Sequence, residues 1–302
     1  MPWDVGPVVT FYRRDIFDAA GLPSDSESVS ELLATWDDYL ETCLTIKEAT
    51  GLPCLAMNKA NNYGDLAFNM LWSQGLGFYN ENNEVTIDSP EVVAALEKMG
   101  EFWDAEVTSD ALEWTDQWYA ELNAAIDDEN VEPVASIVIA AWMGSFLKSW
   151  ISADQAGNWG VALMPAWEEG GTRSANQGGS NFFIPEDSQN KEAAWAFIEY
   201  MILDPEVHAE HFAFSDYFPA ISSTYDQPIF EETDPYFGDQ ATRALYAEVA
   251  QEIPFAYIYG PYAVTMSGAT STAIQNYALG NMSAEEALAE AADAVRLETD
   301  LP

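Results

Sequence analysis

Three features of the sequence predict an α/β fold: short β-branched or continuously apolar runs, segments of helical period between them, and turn residues at the junctions. An apolar fraction of 48% over 302 residues supplies a real core for one large domain or two ordinary ones.

Val8 to Tyr12 form an apolar, β-branched strand, reached after only seven residues. Asp15 to Ala20 reads as a short helix that Gly21 ends and Pro23 keeps from continuing. A helical region follows in "SVSELLATWDDYLETCLTIKEATG", with Ser28 and Glu31 as a capping box and Trp36, Leu40, Cys43 and Leu44 on one face. "PCLAMN" is a strand. In "SPEVVAALEKMGEFWDA", Ser89 is the N-cap, Pro90 takes N1, and Val92, Leu96, Met99 and Trp103 form one stripe. "VASIVIAAW" suits a strand buried on both faces. "NWGVALMP" and "QGGSNFFIP" are further strands, the second opened by glycines that permit close backbone approach. "NKEAAWAFIEYMILDPE" is a helix, with Trp195 on its core stripe. "SAEEALAEAADAVRLE" is another, with a Ser283–Glu286 capping box and Leu288, Ala291, Ala292 and Val295 facing inward.

Charge narrows the function. There are 51 acidic and 10 basic residues, a net charge of −41. Nucleic acid is excluded, because a phosphate backbone requires a basic footprint. The acids are dispersed rather than gathered in a tail, which points to a surface suited to high salt, where screening suppresses self-repulsion. With five arginines and five lysines, little is left to hold a phosphate or carboxylate, so the ligand is expected to be neutral or cationic. Runs such as "IVIAAWM" are too short to span a membrane.

Local chemical motifs are weak. His208 and His211 stand at i and i+3 beside Glu206 and Glu210, but without further ligands they read as a solvated acidic helix face, and no metal or other cofactor is expected. "SFLK" at Ser145–Lys148 matches S-x-x-K without the accompanying K-T-G. "NMS" at Asn281 is a glycosylation sequon whose Ser283 also serves as a helix cap. Cys43 and Cys54 read as buried free thiols, with a disulfide as the alternative. The 11 tryptophans are too many for cores alone. Trp36, Trp103 and Trp195 fall on helix stripes, whereas Trp3, Trp72, Trp142, Trp114 and Trp118 lie near strand ends or loops. Aromatic faces there, next to Asp and Asn, suit sugar rings.

In this order, "MPWD", "FYRRDIFDAAGLP", "TWDDYLE", "AMN", "LWSQGLGFYNENNEVTIDSPEVVAAL", "WMGSF", "WGVALMPAWEEGG", "QGGSNFFIPEDSQNKEAAWAFIEYMI", "FPAIS" and "ALGNMSAEEALAEA" resemble the carbohydrate-binding solute-binding proteins of ABC importers, the family that includes the maltose-binding proteins. The resemblance covers nearly the whole chain. It implies a periplasmic-binding-protein-like type II fold, with two lobes joined by a hinge, that closes on a neutral mono- or oligosaccharide. The protein would be a monomer, extracellular or periplasmic, that delivers the sugar to membrane permease subunits. The C-terminal lobe would comprise 6–161 and 222–302, with 166–214 a returning segment of the N-terminal lobe and 1–5, 162–165 and 215–221 the hinge crossings. The expectation is therefore a chain without most of its N-terminal lobe, signal peptide and lipid-anchor cysteine.

The same resemblance implies ligand contacts at Trp3 and Asp4 at the first crossing, Asn62, Tyr63 and Trp72 from a loop and helix, and Trp142, Gly144 and Phe146 in the loop where Phe146 replaces the usual Trp. Gly178 and Gly179 match the double glycine; Ser180 and Asn181 follow where a Trp is frequent. Tyr217 and Phe218 match the last crossing. A secreted carbohydrate-active enzyme is the alternative of another class, and a non-binding fragment is a further one; the resemblance itself implies no catalysis.

If the dispersed acids repel one another, salt will stabilise the fold. Thermal unfolding followed by circular dichroism is expected to rise steeply across a salt series into the molar range; a flat response would contradict the high-salt reading.

Overall fold

The computed structural model describes residues 1–59, 65–80, 82–254, 260 and 262–302. Among these the strands are Pro2–Asp4 (β1), Val8–Arg13 (β2), Leu55–Ala56 (β3), Thr108–Ser109 (β4), Ser136–Ala140 (β5), Trp159–Leu163 (β6) and Ser180–Asn181 (β7). Five of them form a sheet in the order β4-β3-β5-β2-β6, and β1 pairs with β7. β2 is antiparallel to both neighbours, with Val8 opposite Ala140 and Tyr12 opposite Ser136 on one edge, and Val9 opposite Leu163 on the other. β3 runs parallel to β4 and β5.

Helices cover both faces, so strand side chains alternate between two cores. Val8 and Tyr12 of β2, with Val138 and Ala140 of β5, face a core that includes Val29, Trp36, Leu96, Met99, Trp103, Ile274 and Leu288. Val9 and Phe11, with Ile137 and Ile139, face the opposite core of Trp118, Leu147, Phe212, Phe218, Phe230 and Phe237. Arg13 ends β2 with no exposed surface. Its Nε and Nη2 donate to the Asp15 carboxylate at 2.8 and 2.6 Å, and Nη1 donates to the Ala124 carbonyl at 2.8 Å. This fork–carboxylate geometry makes burial of the guanidinium tolerable.

Several local signals form as expected. Ser89 caps the helix Pro90–Asp104, and Ser283 with Glu286 forms a reciprocal capping box on Ala284–Thr299. The Ser28–Glu31 box does not form. The segment divides into helices Ser26–Leu32 and Trp36–Thr50, capped by Asp25 and by a Thr35–Asp38 box. Its inward face is Trp36, Tyr39, Cys43 and Ile46, while Leu44 is exposed. Trp195 is also exposed; the helix Lys191–Leu203 buries Ile198 and Ile202 instead. Among the described residues no helix is long and apolar enough to cross a membrane.

Cys43 and Cys54 are joined in a disulfide, with Cα atoms 5.1 Å apart, which corrects the reading of free thiols. The bond ties the helix Trp36–Thr50 to the start of β3. A chain of hydroxyls reinforces the tie: Tyr39 bonds the Ser136 hydroxyl at 2.6 Å, and Ser136 donates to the Cys54 carbonyl at 2.6 Å. The closed loop spans 11 positions. Loop-closure entropy for that length is worth about 3 kcal/mol. The Cys43→Ala/Cys54→Ala variant is expected to unfold at lower urea concentration by an amount matching that loss, with a larger m value as its denatured state expands.

Candidate functional site

Residues 1–7 run between two other chain segments. On one side β1 pairs with β7, Asp4 opposite Ser180, and Gln177 N donates to Gly6 O at 2.8 Å. On the other, Val5 N donates to Phe218 O at 2.9 Å and Ala220 N to Trp3 O at 3.1 Å. Glycine makes this crossing possible. A Cβ on Gly6 would lie 1.9 Å from Gln177 O, and Gly179 (φ +108°) would place one 2.8 Å from Asp4 O.

The crossing carries an aromatic group. The Trp3 ring meets Phe182 at 5.4 Å, His211 at 5.0 Å and Tyr217 at 5.2 Å. Tyr217 is exposed and Trp3 half-buried. Asp4 is buried, takes hydrogen bonds from Ser180, and its Oδ1 has no protein partner. Burial raises its pKa against the opposing pull of those bonds.

His208 and His211 do not form a solvated face. Glu206 and Glu210 point to solvent, while the histidines share the opposite, inward side of the helix Pro205–Ser215. His208 is 1% exposed and its Nε2 donates to Trp3 O at 3.0 Å, which puts a proton on Nε2. Burial lowers its pKa.

A second aromatic group reaches the same crossing through Gln177. Trp142 Nε1 donates to Gln177 O at 3.1 Å, and Gln177 Oε1 accepts from Asn69 Nδ2 and from Ala140 N, each at 3.1 Å. Trp142 is half-buried, its ring 5.9 Å from exposed Trp114 and 5.7 Å from half-buried Phe146. Asn69 Oδ1 is buried with no partner.

The structure thus brings together Trp3, Asp4, Gly178, Gly179, Ser180, Asn181 and Tyr217, with Trp142 and Phe146 linked to them by Gln177. Ser180 and Asn181 are exposed on β7. Trp72 is buried against Phe68 in the first core. Trp118 is likewise buried. Gly144 packs against Phe237 and Tyr246, and Phe218 is 1% exposed among Phe212, Phe230 and Tyr246. Asn62 and Tyr63 lie outside the described residues. Gln177 and Asn69 carry no local signal in the sequence beyond the position of Gln177 immediately before the double glycine. Lys148 of the S-x-x-K match is held by Asp216 at 2.5 Å and Asp234 at 3.2 Å. Two open depressions, around Tyr225–Glu252 and Glu199–Glu206, include none of the residues expected to bind ligand. The candidate site is therefore the aromatic surface of the crossing, where Asp4 is buried.

The crossing should loosen in acid. A buried neutral histidine with a lowered folded pKa contributes stability that is complete above the unfolded value, 6.5. That stability is lost as pH falls from there towards the folded value. Wild-type stability is expected to decline over this window, and His208→Gln, which cannot ionise, is expected to lose that part of the decline in urea unfolding at stepped pH.

The sequence matches the model of the bacterial extracellular solute-binding protein family over residues 1–207. An arabinooligosaccharide-binding protein of Halalkalibacterium halodurans is 29% identical over 305 residues, covering 98% of this chain and 64% of the relative, so the chain spans less than two thirds of that protein's length. A solved extracellular solute-binding protein of family 1 superposes with a TM-score of 0.80 at 20% identity, over 97% of this chain and 72% of the other. An ABC-transporter-associated binding protein of B. animalis subsp. lactis Bl-04, solved with β-1,6-galactobiose, gives 0.76 at 24% identity, over 98% and 72%. These superpositions carry the fold, which is the expected type II periplasmic-binding-protein-like one. The chain belongs to the bacterial extracellular solute-binding protein family.

Proposed function

We propose that the chain binds a neutral mono- or oligosaccharide at the crossing of residues 1–7, 176–182 and 217–220, and that it serves, as a monomer, an ABC importer permease. The observation that carries this reading is the Trp3–Tyr217 ring pair on residues 1–7, where Asp4, next in the chain, is buried with its Oδ1 unpaired. A ring face takes the C–H surface of a sugar, and an unpaired carboxylate oxygen accepts a hydroxyl.

Electrostatics support a neutral ligand. Arg13, Lys98, Lys148, Arg243 and Arg296 are each paired with a carboxylate of the chain, which leaves them committed to structure rather than to an anion. The names of the relatives agree in kind, one binding arabinooligosaccharide and one solved with a galactobiose. The disulfide suits an oxidising location outside the cytosol.

Sugar binding would act through the crossing. Residues 1–7 continue directly into β2, so a ligand seated on Trp3 and Asp4 bears on the segments to either side. Preference for one relative arrangement of those segments is all a ligand needs to shift the population between open and closed forms.

The test is a tryptophan-fluorescence titration in molar salt with a panel of neutral oligosaccharides. Saturable change is expected with at least one sugar and none with sugar phosphates or uronates. Removing the ring in Trp3→Ala should weaken affinity roughly three- to tenfold, the worth of a ring contact. Cleavage of any sugar would transfer the reading to a carbohydrate-active enzyme. Silence with every neutral sugar would overturn the ligand class.

A further inference from the structure

Lys148 closes the short S-x-x-K match, and nothing in the sugar reading uses it. Its ammonium group lies 2.5 Å from Asp216 and 3.2 Å from Asp234. Arg243 approaches the other oxygen of Asp216 at 3.7 Å and meets Glu232 at 3.4 Å. The same guanidinium covers the Phe212 ring, 5.3 Å from its centroid. Two of the chain's 10 basic residues therefore converge on one carboxylate. The Lys148, Arg243 and Asp216 side chains are 27%, 18% and 16% exposed, so salt screens them less than it screens surface pairs. Asp216, Asp234 and Glu232 together face the two cations, which engages them fully within the chain.

Asp216 also shapes the chain. It follows the helix Pro205–Ser215 with φ +53°, and its N–H donates to Phe212 O at 2.8 Å. Aspartate, asparagine and glycine all suit such a left-handed stop, so the turn itself asks for no charge. The two cations account for the carboxylate. From this stop the chain enters the crossing directly. Tyr217 places its ring 5.2 Å from Trp3, and Phe218 O accepts from Val5 N at 2.9 Å. Ala220 N donates to Trp3 O at 3.1 Å. Phe218 is buried against Phe212, the ring that Arg243 covers.

We infer that Asp216 is a positioning residue: held by Lys148 and Arg243, it fixes where Tyr217 and residues 218–220 meet residues 1–7. Its effect on a sugar rests on the binding function proposed above; the clamp itself rests on the ion pairs. Lys148 comes from the turn Leu147–Ile151 and Arg243 from the helix Thr242–Gln251, so the two cations tie the crossing to elements of the second core. Taking Lys148 away leaves two partly buried carboxylates, Asp216 and Asp234, without the ammonium they share. Tyr217 then loses its fixed place against Trp3. A ligand has to order it on binding, which lowers affinity.

The experiment combines calorimetric titration with amide hydrogen exchange on the whole chain in molar salt, for wild type, Asp216→Asn, Lys148→Gln and the double variant. Asp216→Asn keeps the left-handed stop and removes only the charge. The titrant is the neutral oligosaccharide that binds wild type most tightly in the fluorescence panel. Each single variant is expected to weaken affinity roughly three- to tenfold, and the double variant little more than Asp216→Asn alone. Lys148→Arg, which keeps the charge, should retain most of the affinity. Exchange in the free protein should quicken at the Val5 and Ala220 amides in Asp216→Asn. Lys98→Gln, which removes a cation paired with Asp37 and Glu101, controls for net charge and should leave both readouts unchanged. Unchanged affinity in Asp216→Asn would overturn the positioning role alone, as would losses that add in full in the double variant or a Lys148→Arg as weak as Lys148→Gln. Absence of wild-type binding to every sugar would overturn the proposed function, and exchange would then decide the clamp: unchanged rates at Val5 and Ala220 in Asp216→Asn would overturn it too.

Discussion

The pairing of Val8–Arg13 on both of its edges is the constraint on which the other elements depend. A strand with no exposed residue must satisfy every backbone N–H and C=O from its neighbours, so β5 and β6 are fixed against it in register. Alternate side chains then set two cores at once, Val8 and Tyr12 on one face, Val9 and Phe11 on the other. Three residues separate Asp4 from Val8. The candidate site is thus placed by the sheet: Trp3 and Asp4 can move little without disturbing the strand that organises both cores.

Elements whose signals are local were legible in the sequence. Ser89 with Pro90, and Ser283 with Glu286, act within one helical turn, where few alternatives compete. The continuous apolar run of β5 announced burial on both faces, and it is buried on both. Where two local signals competed, tertiary packing chose. Ser28–Glu31 and Thr35–Asp38 both have box spacing, and the second forms because the chain must turn at Ala34 so that Val29 and Trp36 can enter one core. The Cys43–Cys54 bond escaped for another reason: spacing says nothing about whether two Cβ atoms face one another, and here the helix-to-strand turn brings them together.

The site was legible in outline and not in detail. Pro2–Asp4, the double glycine and Tyr217 are each recognisable, but their adjacency comes from pairings about 180 and 215 residues apart in the chain, which no local pattern encodes. Aromatic residues were the least separable. Trp72 and Trp114 both sit near element ends, yet one is 7% and the other 42% exposed, because the helix Asp65–Trp72 lies on the first core while Trp114 stands on a left-handed residue outside the second. The histidines show the same limit: spacing i, i+3 puts them on one face, and only the position of residues 1–7 decides that this face is inward.

The charge pattern connects these observations. Acids occupy the first turns of many helices, Glu27, Asp37, Asp38, Glu91, Asp116, Glu206, Glu285 and Glu286 among them, where they meet the positive end of the helix dipole. Cations are scarce; Arg13 is buried and Arg14 and Arg173 are half-buried, donating to Asp15, to Gln240 or to backbone carbonyls. Cations engaged in this way are unavailable to an anion. Buried acceptors and ring faces remain, and those are the groups that meet where residues 1–7 cross. The same scarcity leaves the surface strongly acidic and agrees with the neutral ligand proposed for the candidate site.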